Sequence, residues 1–359
     1  MPGTVIFLGA GATKSAGGPL TSEILPEILK SRISPGSTPS STQALSSLEN
    51  FMRDEFHVTS ASPPELYPGL PLLMSLLDTA LDRRQAFNST WGAPDVSQLR
   101  EAIELGIFDL LEEKLNKAPT NNHYDLIQKV YGMTDDPVII STNYDLIIDT
   151  SLIFFSNNLP PQNARFPNYA CDISSECYLN GKSRYGTLLK LHGSLNWLHC
   201  RTCHRLEIGA SESVKFVIAF QEVVGPSLKQ SYSPDGSPCP TCGTKLLPLL
   251  VAPTHLKDYR NPHLSLVWYA AERALRQADR VIFIGYSLPD DDVEVVYLLK
   301  RGLAHLQPHR ITVIGHDMSM PPVTAHPVGR RYRALFGDGI DWHPEGMDNW
   351  LAAQPLQPR

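Results

Sequence analysis

Three short apolar runs, each followed at once by small or polar residues, constrain the fold of this chain most. Thr4–Leu8 leads into Gly-Ala-Gly, Pro137–Ile140 into Ser-Thr-Asn, and Arg280–Ile284 into Gly-Tyr-Ser. Continuous apolar runs of this length are typical of parallel strands that are buried on both faces. Because ligands bind beyond the carboxyl ends of strands in open parallel sheets, all three loops fall where such a fold places its site.

Strands and helices alternate along the rest of the chain. Further strands are predicted over Leu188–Leu191, Leu249–Ala252 and Arg310–Gly315. Helices, the first with Thr21 as N-cap, are predicted over Thr21–Arg32, Leu72–Leu81, Ser97–Lys117, Leu146–Phe155, Pro262–Gln277 and Val293–His305. Loops are predicted over Ser34–Thr42 and Ser60–Pro71. The alternation predicts an α/β fold, a Rossmann-like parallel sheet with helices on both faces.

Two Cys-x-x-Cys pairs indicate a metal site. The pairs are Cys200/Cys203 and Cys239/Cys242, and thiolates at this spacing are typical of a tetrahedral structural zinc. Four thiolates complete the coordination shell, so no position is left open for catalysis. A zinc-ribbon module is therefore predicted, with a surface hairpin in Leu206–Ser237. Cys171 and Cys177 lie outside the pairs and are interpreted as ordinary thiols.

A glycine-rich turn follows the first strand. Gly9-Ala10-Gly11 permits close backbone approach to a diphosphate, whose charge would be held by amides at the start of the next helix. The dinucleotide fingerprint needs glycine where Lys14 stands, and a P-loop needs glycine where Thr13 stands before Lys14-Ser15. The pattern is incomplete, and an ordinary tight turn is the alternative interpretation.

Two further loops carry candidate catalytic side chains. Asn143 and Asp145 follow the second strand, and the alternative is that both cap a helix starting near Leu146. His192 is one of 12 histidines, and its Leu-His-Gly context and the cysteines that follow distinguish it from the others. An imidazole pKa near neutrality suits a general base, although an isolated histidine is more often structural.

The glycine turn, Thr142–Asp145, Leu191–Ser194, Gly285–Leu288 and the cysteine pairs, in this order, resemble the sirtuin family. Its members bind NAD and break the nicotinamide–ribose bond. The resemblance implies that Asn143 positions water and the ribose, that Asp145 lies beside the nicotinamide amide, and that His192 is a general base acting through the ribose hydroxyls. It also implies cofactor contacts from Gly9, Ala10, Gly11, Thr13, Thr142, Asn143, Gly285, Ser287 and His316.

The segment after the Arg280–Gly285 strand resembles one branch of that family. Gly285–Leu288 followed by a proline and three aspartates is similar to divergent sirtuin-like proteins of bacterial defence systems. Asp291 and Asp292 are interpreted as charges at a helix N-terminus, which the helix dipole favours.

Two departures from the sirtuin deacylases decide between activities. Gly17–Thr21 lacks the Phe and Arg that deacylases carry after the glycine turn, and Leu247–Thr254 lacks their Phe-Gly-Glu segment, which pairs with the acyl-lysine peptide. Features for NAD are kept, whereas those for the peptide are not. This pattern favours an NAD glycohydrolase releasing nicotinamide and ADP-ribose; the alternatives are an NAD-dependent protein deacylase and an NAD- or ADP-ribose-sensing subunit.

Composition and resemblance together bound the partners and the domains. A net charge of −6 gives no support for nucleic-acid binding, and the absence of a signal-peptide pattern or membrane-length apolar run favours a soluble cytoplasmic protein. The resemblance implies anti-phage defence by NAD depletion, with homo-oligomers or a HerA-type hexameric ATPase as partner. The expected domains are a sirtuin-like NAD-binding domain over 1–197 and 248–359, with a helical insertion over about 34–130, and a zinc-ribbon module over 198–247.

Overall fold

A computed structural model describes residues 3–30, 39–116, 122–159, 166–175, 178–179, 184–208, 238–315 and 322–353. The chain divides into two compact units. We call one the sheet unit, which comprises Met1–Gly17, Ala118–Val251 and Tyr259–Arg359. We call the other the helical unit, which comprises Gly18–Lys117 and Ala252–Asp258. The longer segment of the helical unit, Gly18–Lys117, overlaps the insertion over about 34–130, and the domain boundaries that the sequence predicts stay predictions.

The described residues contain nine strands: β1 (Gly3–Leu8), β2 (Val138–Ser141), β3 (Thr187–Lys190), β4 (Gly193–Cys200), β5 (Leu206–Ile208), β6 (Leu246–Leu250), β7 (Ala278–Ile284), β8 (Ile311–Ile314) and β9 (Asp341–His343). The same residues contain ten α-helices: α1 (Thr21–Lys30), α2 (Pro39–Phe56), α3 (Leu70–Arg83), α4 (Ala93–Asn116), α5 (His123–Met133), α6 (Ile147–Asn157), α7 (Pro262–Arg276), α8 (Val293–Gly302), α9 (Pro327–Phe336) and α10 (Gly346–Ala353).

Six strands form one parallel sheet in the order β3-β2-β1-β7-β8-β9. Counted among themselves, these strands have the Rossmann order 3-2-1-4-5-6, so the strand order reverses between β1 and β7. Val5–Leu8 and Val281–Ile284 are buried at every position. Because successive strand side chains point to opposite faces, both faces of the sheet are covered, and the predicted fold class is confirmed.

One register line crosses the carboxyl edge of this sheet. Leu8 pairs with Ser141 on one side and with Ile284 on the other, and Ser141 pairs in turn with Lys190. The loops that follow β1, β2, β3 and β7 therefore leave the sheet side by side. We call this border the carboxyl edge.

A second, antiparallel sheet has the order β5-β4-β6. The strand predicted over Leu249–Ala252 belongs here rather than to the parallel sheet, because β6 ends at Leu250 and pairs with β4. The sequence analysis missed β4, whose Gly-Ser-Leu-Asn-Trp-Leu-His-Cys mixes polar and apolar residues without a clear period. Residues 209–237 of the predicted surface hairpin lie outside the described residues.

Two predictions at the starts of helices change in the helical unit. Helix α2 begins at Pro39, so residues 39–42 of the predicted loop are helical, while 34–38 lie outside the described residues. Proline is tolerated in a first helical turn, where its missing N–H has no partner to lose. Thr21 is the first helical residue of α1 rather than its cap, and the Leu20 N–H donates to Glu23 Oε2 at 2.7 Å.

Close packing of helices and aromatic rings holds the helical unit together. A Cβ placed on Gly106 of α4 would lie 2.8 Å from Ile28 Cγ2 of α1, so the absence of a side chain there permits the two helices to approach. Phe51 makes edge-to-face contacts with Phe87 and Trp91.

No helix among the described residues combines the length and apolar character that crossing a membrane requires.

Candidate functional site at the carboxyl edge

The glycine turn after β1 packs directly against the backbone after β7. Gly9 N donates to Ile284 O at 3.0 Å, and Gly11 N donates to Gly285 O at 2.9 Å. A Cβ on Gly11 would lie 2.8 Å from Gly285 Cα, and one on Gly285, whose φ is +63°, would lie 2.1 Å from Ala12 N. We call this contact the glycine junction. These glycines therefore have a structural reason, close packing of two loops, besides the diphosphate approach and the tight turn considered from the sequence.

The residues after the glycine turn form 3-10 turns at Ala10–Ala12 and Lys14–Ala16 instead of an α-helix. The first α-helix starts only at Thr21, and a role of backbone amides after the glycine turn in holding a diphosphate stays a prediction. Two hydroxyls follow the turn. Thr13 Oγ1 lies 3.1 Å from Ala10 O, and the buried Ser15 Oγ has no hydrogen-bond partner among the described residues.

Asn143 is tied to the glycine turn and does not cap a helix. Its Nδ2 donates to Gly9 O at 3.0 Å and to Thr13 Oγ1 at 3.3 Å. Helix α6 begins at Ile147, four residues later. The capping interpretation is thus wrong for Asn143, whose amide orientation is fixed by the loop of the neighbouring strand. Thr142 adds a second link, since its N–H donates to Leu8 O at 3.0 Å.

Asp145 is buried, and its Oδ1 accepts a hydrogen bond from Ile147 N at 3.0 Å. This contact lies at the start of α6, so the capping interpretation does describe one of its roles. Burial raises the pKa of the Asp145 carboxyl, opposed by the charge of Lys190 and by hydrogen bonds from Ile147 and Thr13. Asp145 therefore forms part of the frame around Asn143.

A buried lysine holds the backbone of the Asn143 loop through hydrogen bonds. Lys190 Nζ donates to the carbonyl oxygens of Tyr144 and Asp145 and lies 3.1 Å from Asp149 Oδ2. Tyr169 OH donates to the other oxygen of Asp149 at 2.6 Å. Lys190 and Asp149 are both fully buried, so their charges depend on each other and on these hydrogen bonds. The arrangement fixes the backbone that carries Asn143.

His192 lies two residues beyond Lys190, as Asn143 lies two residues beyond Ser141. Both residues therefore follow paired positions of adjacent strands by the same distance along the chain. The His192 side chain is 6% exposed, and its carbonyl oxygen accepts a hydrogen bond from Val251 N at 2.9 Å. The structure thus brings Asn143 and His192 to one edge of the sheet, and the third predicted catalytic residue, Asp145, lies in the same loop as Asn143.

Asp292 faces His192, which the sequence analysis did not predict. His192 Nε2 and Asp292 Oδ1 are 3.4 Å apart, and Tyr286 OH donates to Asp292 Oδ2 at 2.9 Å. Asp292 is the N-cap residue of α8, yet its side chain makes no capping hydrogen bond. Asp292 therefore lies at a helix N-terminus, as predicted, but the residue is 4% exposed and its carboxylate lies beside an imidazole.

Two aromatic residues complete the surroundings of His192. The Tyr259 ring centroid lies 6.2 Å from that of His192 and 4.4 Å from that of Trp268, whose Nε1 donates to Leu191 O at 3.0 Å. Tyr259 OH is buried and has no hydrogen-bond partner among the described residues. Burial and the Asp292 carboxylate raise the pKa of Tyr259, so its hydroxyl stays protonated. No motif signalled either residue in the sequence.

Ser287 and His316 are the last two predicted cofactor residues. Ser287 is exposed, and its carbonyl oxygen accepts a hydrogen bond from Arg331 Nε at 2.8 Å. His316 lies outside the described residues. A role of Gly9, Ala10, Gly11, Thr13, Thr142, Gly285 and Ser287 in holding a cofactor stays a prediction.

The four predicted metal ligands come together at one end of the antiparallel sheet. The sulfur atoms of Cys200, Cys203, Cys239 and Cys242 all lie within 4.8 Å of one another. Cys200 and Cys242 sulfurs are 3.4 Å apart, and those of Cys203 and Cys239 are 3.5 Å apart. Tetrahedral zinc with bonds of about 2.3 Å needs sulfur separations of this order, so the cluster fits such an ion. Cys171 lies outside the cluster, as predicted, and Cys177 is not among the described residues.

Comparison with known proteins gives a distant likeness in structure alone. No protein-family model matches the chain, and no curated protein sequence matches it. A mutant Sir2 homologue in complex with 2'-O-acetyl ADP ribose is 16% identical with a TM-score of 0.41, over 94% of this chain and 91% of that one. A Sir2–p53 peptide–NAD+ structure is 14% identical with a TM-score of 0.37, over 94% and 93%.

Proposed function

We propose that this chain is an NAD+ hydrolase that cleaves the nicotinamide–ribose bond and releases nicotinamide and ADP-ribose. The observation that carries the proposal is the meeting of Asn143 and His192 at equivalent positions beyond adjacent strands, beside the glycine junction. Open parallel sheets with this strand order bind nucleotides at this edge. The sequence resemblance to sirtuins supports the same two residues.

The contacts of Asn143 suit it to positioning water. Because Nδ2 donates to Gly9 O and to Thr13 Oγ1, the amide is oriented, and we assign to Oδ1 the contact with the reacting water. In the proposed reaction, the bond between ribose C1′ and the nicotinamide nitrogen breaks through an oxocarbenium-like state. Water adds to C1′, His192 accepts the proton that this water releases, and neutral nicotinamide leaves.

Buried hydroxyls at the carboxyl edge support the fit to a polar ligand. Ser15 Oγ and Tyr259 OH are buried without partners among the described residues. Buried polar atoms of a native protein are nearly always hydrogen-bonded, so such atoms indicate partners supplied by a ligand or by water. A dinucleotide offers many such partners in its ribose hydroxyls and phosphate oxygens.

Hydrolysis is favoured over deacylation by what the sequence lacks. Gly17–Thr21 has neither the Phe nor the Arg of the deacylases, and Leu247–Thr254 does not contain their peptide-pairing segment. With no acyl oxygen to attack C1′, water is the acceptor. The cysteine cluster, with four thiolates, suits zinc in a structural role.

We further propose that the hydrolase serves bacterial anti-phage defence by depleting NAD in infected cells. The support is the Gly-Tyr-Ser-Leu segment and its aspartates, which resemble that branch of the sirtuin-like proteins. An unregulated NAD hydrolase would be toxic, so we expect its activity to depend on assembly, either with copies of itself or with a HerA-type ATPase.

The test is to incubate purified protein with NAD+ and to quantify products by mass spectrometry, over a range of protein concentrations and with or without a HerA-type ATPase. We expect nicotinamide and ADP-ribose in equal amounts. His192→Ala should lower the rate at least about 100-fold, as loss of a general base does. Asn143→Ala should have an effect of about the same size, because misplacing a reacting group can cost about 100-fold in rate. Exposed residues give matched controls, Asn349→Ala and His309→Ala, which should keep wild-type rates.

Two other outcomes would replace the proposal. NAD loss that requires an acetyl-lysine peptide and yields acetylated ADP-ribose would identify a deacylase. Binding of NAD or ADP-ribose without cleavage under every condition would identify a nucleotide-sensing subunit.

A further inference from the structure

We propose that Asp292 is a positioning residue for His192 and that Tyr286 holds Asp292 in place. The inference rests on the proposed hydrolase function for its kinetic consequence, but its geometry stands independently. His192, Asp292 and Tyr286 are 6%, 4% and 5% exposed, and they lie in one line of contacts. Asp292 Oδ1 is 3.4 Å from His192 Nε2, while Oδ2 accepts a hydrogen bond from Tyr286 OH at 2.9 Å.

Tyr286 is itself anchored, which makes it a support for Asp292. Its carbonyl oxygen accepts a hydrogen bond from Tyr332 OH at 2.9 Å, and its ring lies 4.8 Å from that of Phe7. Burial and the Asp292 carboxylate raise the pKa of Tyr286 well above its ordinary value. The hydroxyl therefore stays protonated and donates to the carboxylate.

A capping role does not account for the Asp292 side chain. An aspartate at an N-cap ordinarily accepts hydrogen bonds from the amides of the first helical turn. Here the side chain makes no such bond, and its two oxygens face Tyr286 and His192 instead. The turn before α8 is closed by backbone, since Asp292 N donates to Pro289 O at 3.1 Å. The carboxylate is thus available for the imidazole.

The chemical role follows from which imidazole nitrogen faces the carboxylate. A carboxylate beside Nε2 favours the tautomer that carries its proton on that nitrogen, which leaves the lone pair on Nδ1. It also stabilises the imidazolium that forms when the base accepts a proton, as the aspartate of a serine-protease triad does. Because all three groups are buried, this stabilisation is stronger than it would be in water. Asp292 therefore acts on kcat more than on NAD binding.

The kinetic test compares Asp292→Asn with Asp290→Asn, which makes the same change on an exposed side chain two residues earlier. We expect Asp292→Asn to lower kcat at least about 100-fold with KM for NAD nearly unchanged. Asp290→Asn should match the wild type. Tyr286→Phe leaves the carboxylate in place and should lower kcat by about tenfold. A kcat of Asp292→Asn within about twofold of wild type, in a protein that is otherwise active, would overturn the inference.

A spectroscopic test needs no activity and separates this inference from the proposed function. Protein labelled with 15N-histidine reports the tautomer of each imidazole, and the His192 signals are assigned by their loss in His192→Gln. We expect a single Nε2–H tautomer for His192, which Asp292→Asn changes and Asp290→Asn does not. Unchanged His192 shifts in Asp292→Asn would refute the positioning role. If Asp292→Asn lowers the melting temperature so far that its spectrum cannot be recorded, the His192 signals of Tyr286→Phe are compared with those of the wild type instead.

Discussion

The sheet unit holds two sets of polar side chains, the cysteine cluster and the residues at the carboxyl edge. They differ in whether their polar atoms already have partners or leave room for a ligand. The cysteine cluster brings four sulfur atoms within 4.8 Å of one another, a ligand set sufficient for one tetrahedral ion. The set at the carboxyl edge is anchored by hydrogen bonds to Asn143 and Asp292 but also contains the partnerless hydroxyls of Ser15 and Tyr259. A closed set stabilises the fold, whereas an open one is ready for a ligand.

This difference predicts opposite balances between stability and activity. Substitutions in the closed set should lower the free energy of unfolding and affect activity only through the fold. Substitutions in the open set should leave the fold nearly intact and abolish activity. The glycine junction lies between these extremes, because it carries the open set but is itself fully packed.

The largest effect is expected for Cys239→Ser, which removes one thiolate of the cluster. Structural zinc of this kind contributes on the order of 10 kcal/mol to folding, so the antiparallel sheet should unfold. Elemental analysis should find one zinc per wild-type chain and less in the variant, together with a lower melting temperature. Cys171→Ser is the matched control, since Cys171 lies outside the cluster. Freshly purified wild-type protein without zinc would contradict the closed-set interpretation.

Gly285→Ala should have the second largest effect. The added Cβ would lie 2.1 Å from Ala12 N at a φ of +63°, so both strain and overlap oppose it. We expect a loss of more than about 3 kcal/mol in the free energy of unfolding. Gly339→Ala isolates the strain alone, because its φ is +94° but the nearest atom is 3.8 Å away. Equal losses in the two variants would show that the junction is not tightly packed. For the same reason we expect Gly11→Val to disturb the fold as well as any ligand.

Asn143→Ala should cost only about 1 kcal/mol, the usual value for lost hydrogen bonds of a partly buried amide. The rate of NAD hydrolysis should nevertheless fall to background. The double variant with His192→Ala should be no slower than either single variant, because residues that act as one unit are not additive. Melting temperature and rate are to be measured on the same samples. A destabilised but active Asn143→Ala protein would move Asn143 into the structural set.

The smallest effect on stability is expected for Tyr259→Phe. Removing a buried hydroxyl that has no partner among the described residues should leave the melting temperature of the free protein unchanged or slightly higher. The rise in melting temperature that NAD produces should become smaller. Tyr332→Phe is the control, because its hydroxyl donates to Tyr286 O and its loss should cost about 1 kcal/mol. A clear destabilisation by Tyr259→Phe would show that its hydroxyl already has a protein partner.

The parallel sheet could be predicted because each of its central strands has a clear local sequence pattern. Val5–Leu8, Ile139–Ile140 and Val281–Ile284 are apolar at every position and end at loop-forming residues. Other elements depend on their neighbours. Leu249 was assigned to a strand correctly, but only the partner strand decides which sheet that strand joins. Helix α2 was not predicted, and residues 39–42 at its start were assigned to a loop, because the same Ser and Pro residues favour loops and first helical turns alike.

The candidate site was predictable in its loops and not in its contacts. Asn143, His192 and the cysteine pairs carry short local patterns that a sequence reveals. The orientation of Asp292 cannot be read from a run of three aspartates, because burial against a distant histidine selects one of them. Tyr259 has no local pattern, and only the fold brings it to His192.

The chain enters and leaves the antiparallel sheet at one place, beside His192. Gly193 pairs with Leu250, and Val251 N donates to His192 O at 2.9 Å. The residues at which the chain enters and leaves the antiparallel sheet are therefore hydrogen-bonded to each other. Residues 193–250 are therefore a cassette whose ends already meet. Such a segment can be gained, lost or exchanged between related chains as one piece without altering the path of the remaining backbone. Variation in this cassette is then a route by which evolution, or a protein engineer, can change this segment while keeping His192 and its neighbours Asp292 and Tyr259 in place.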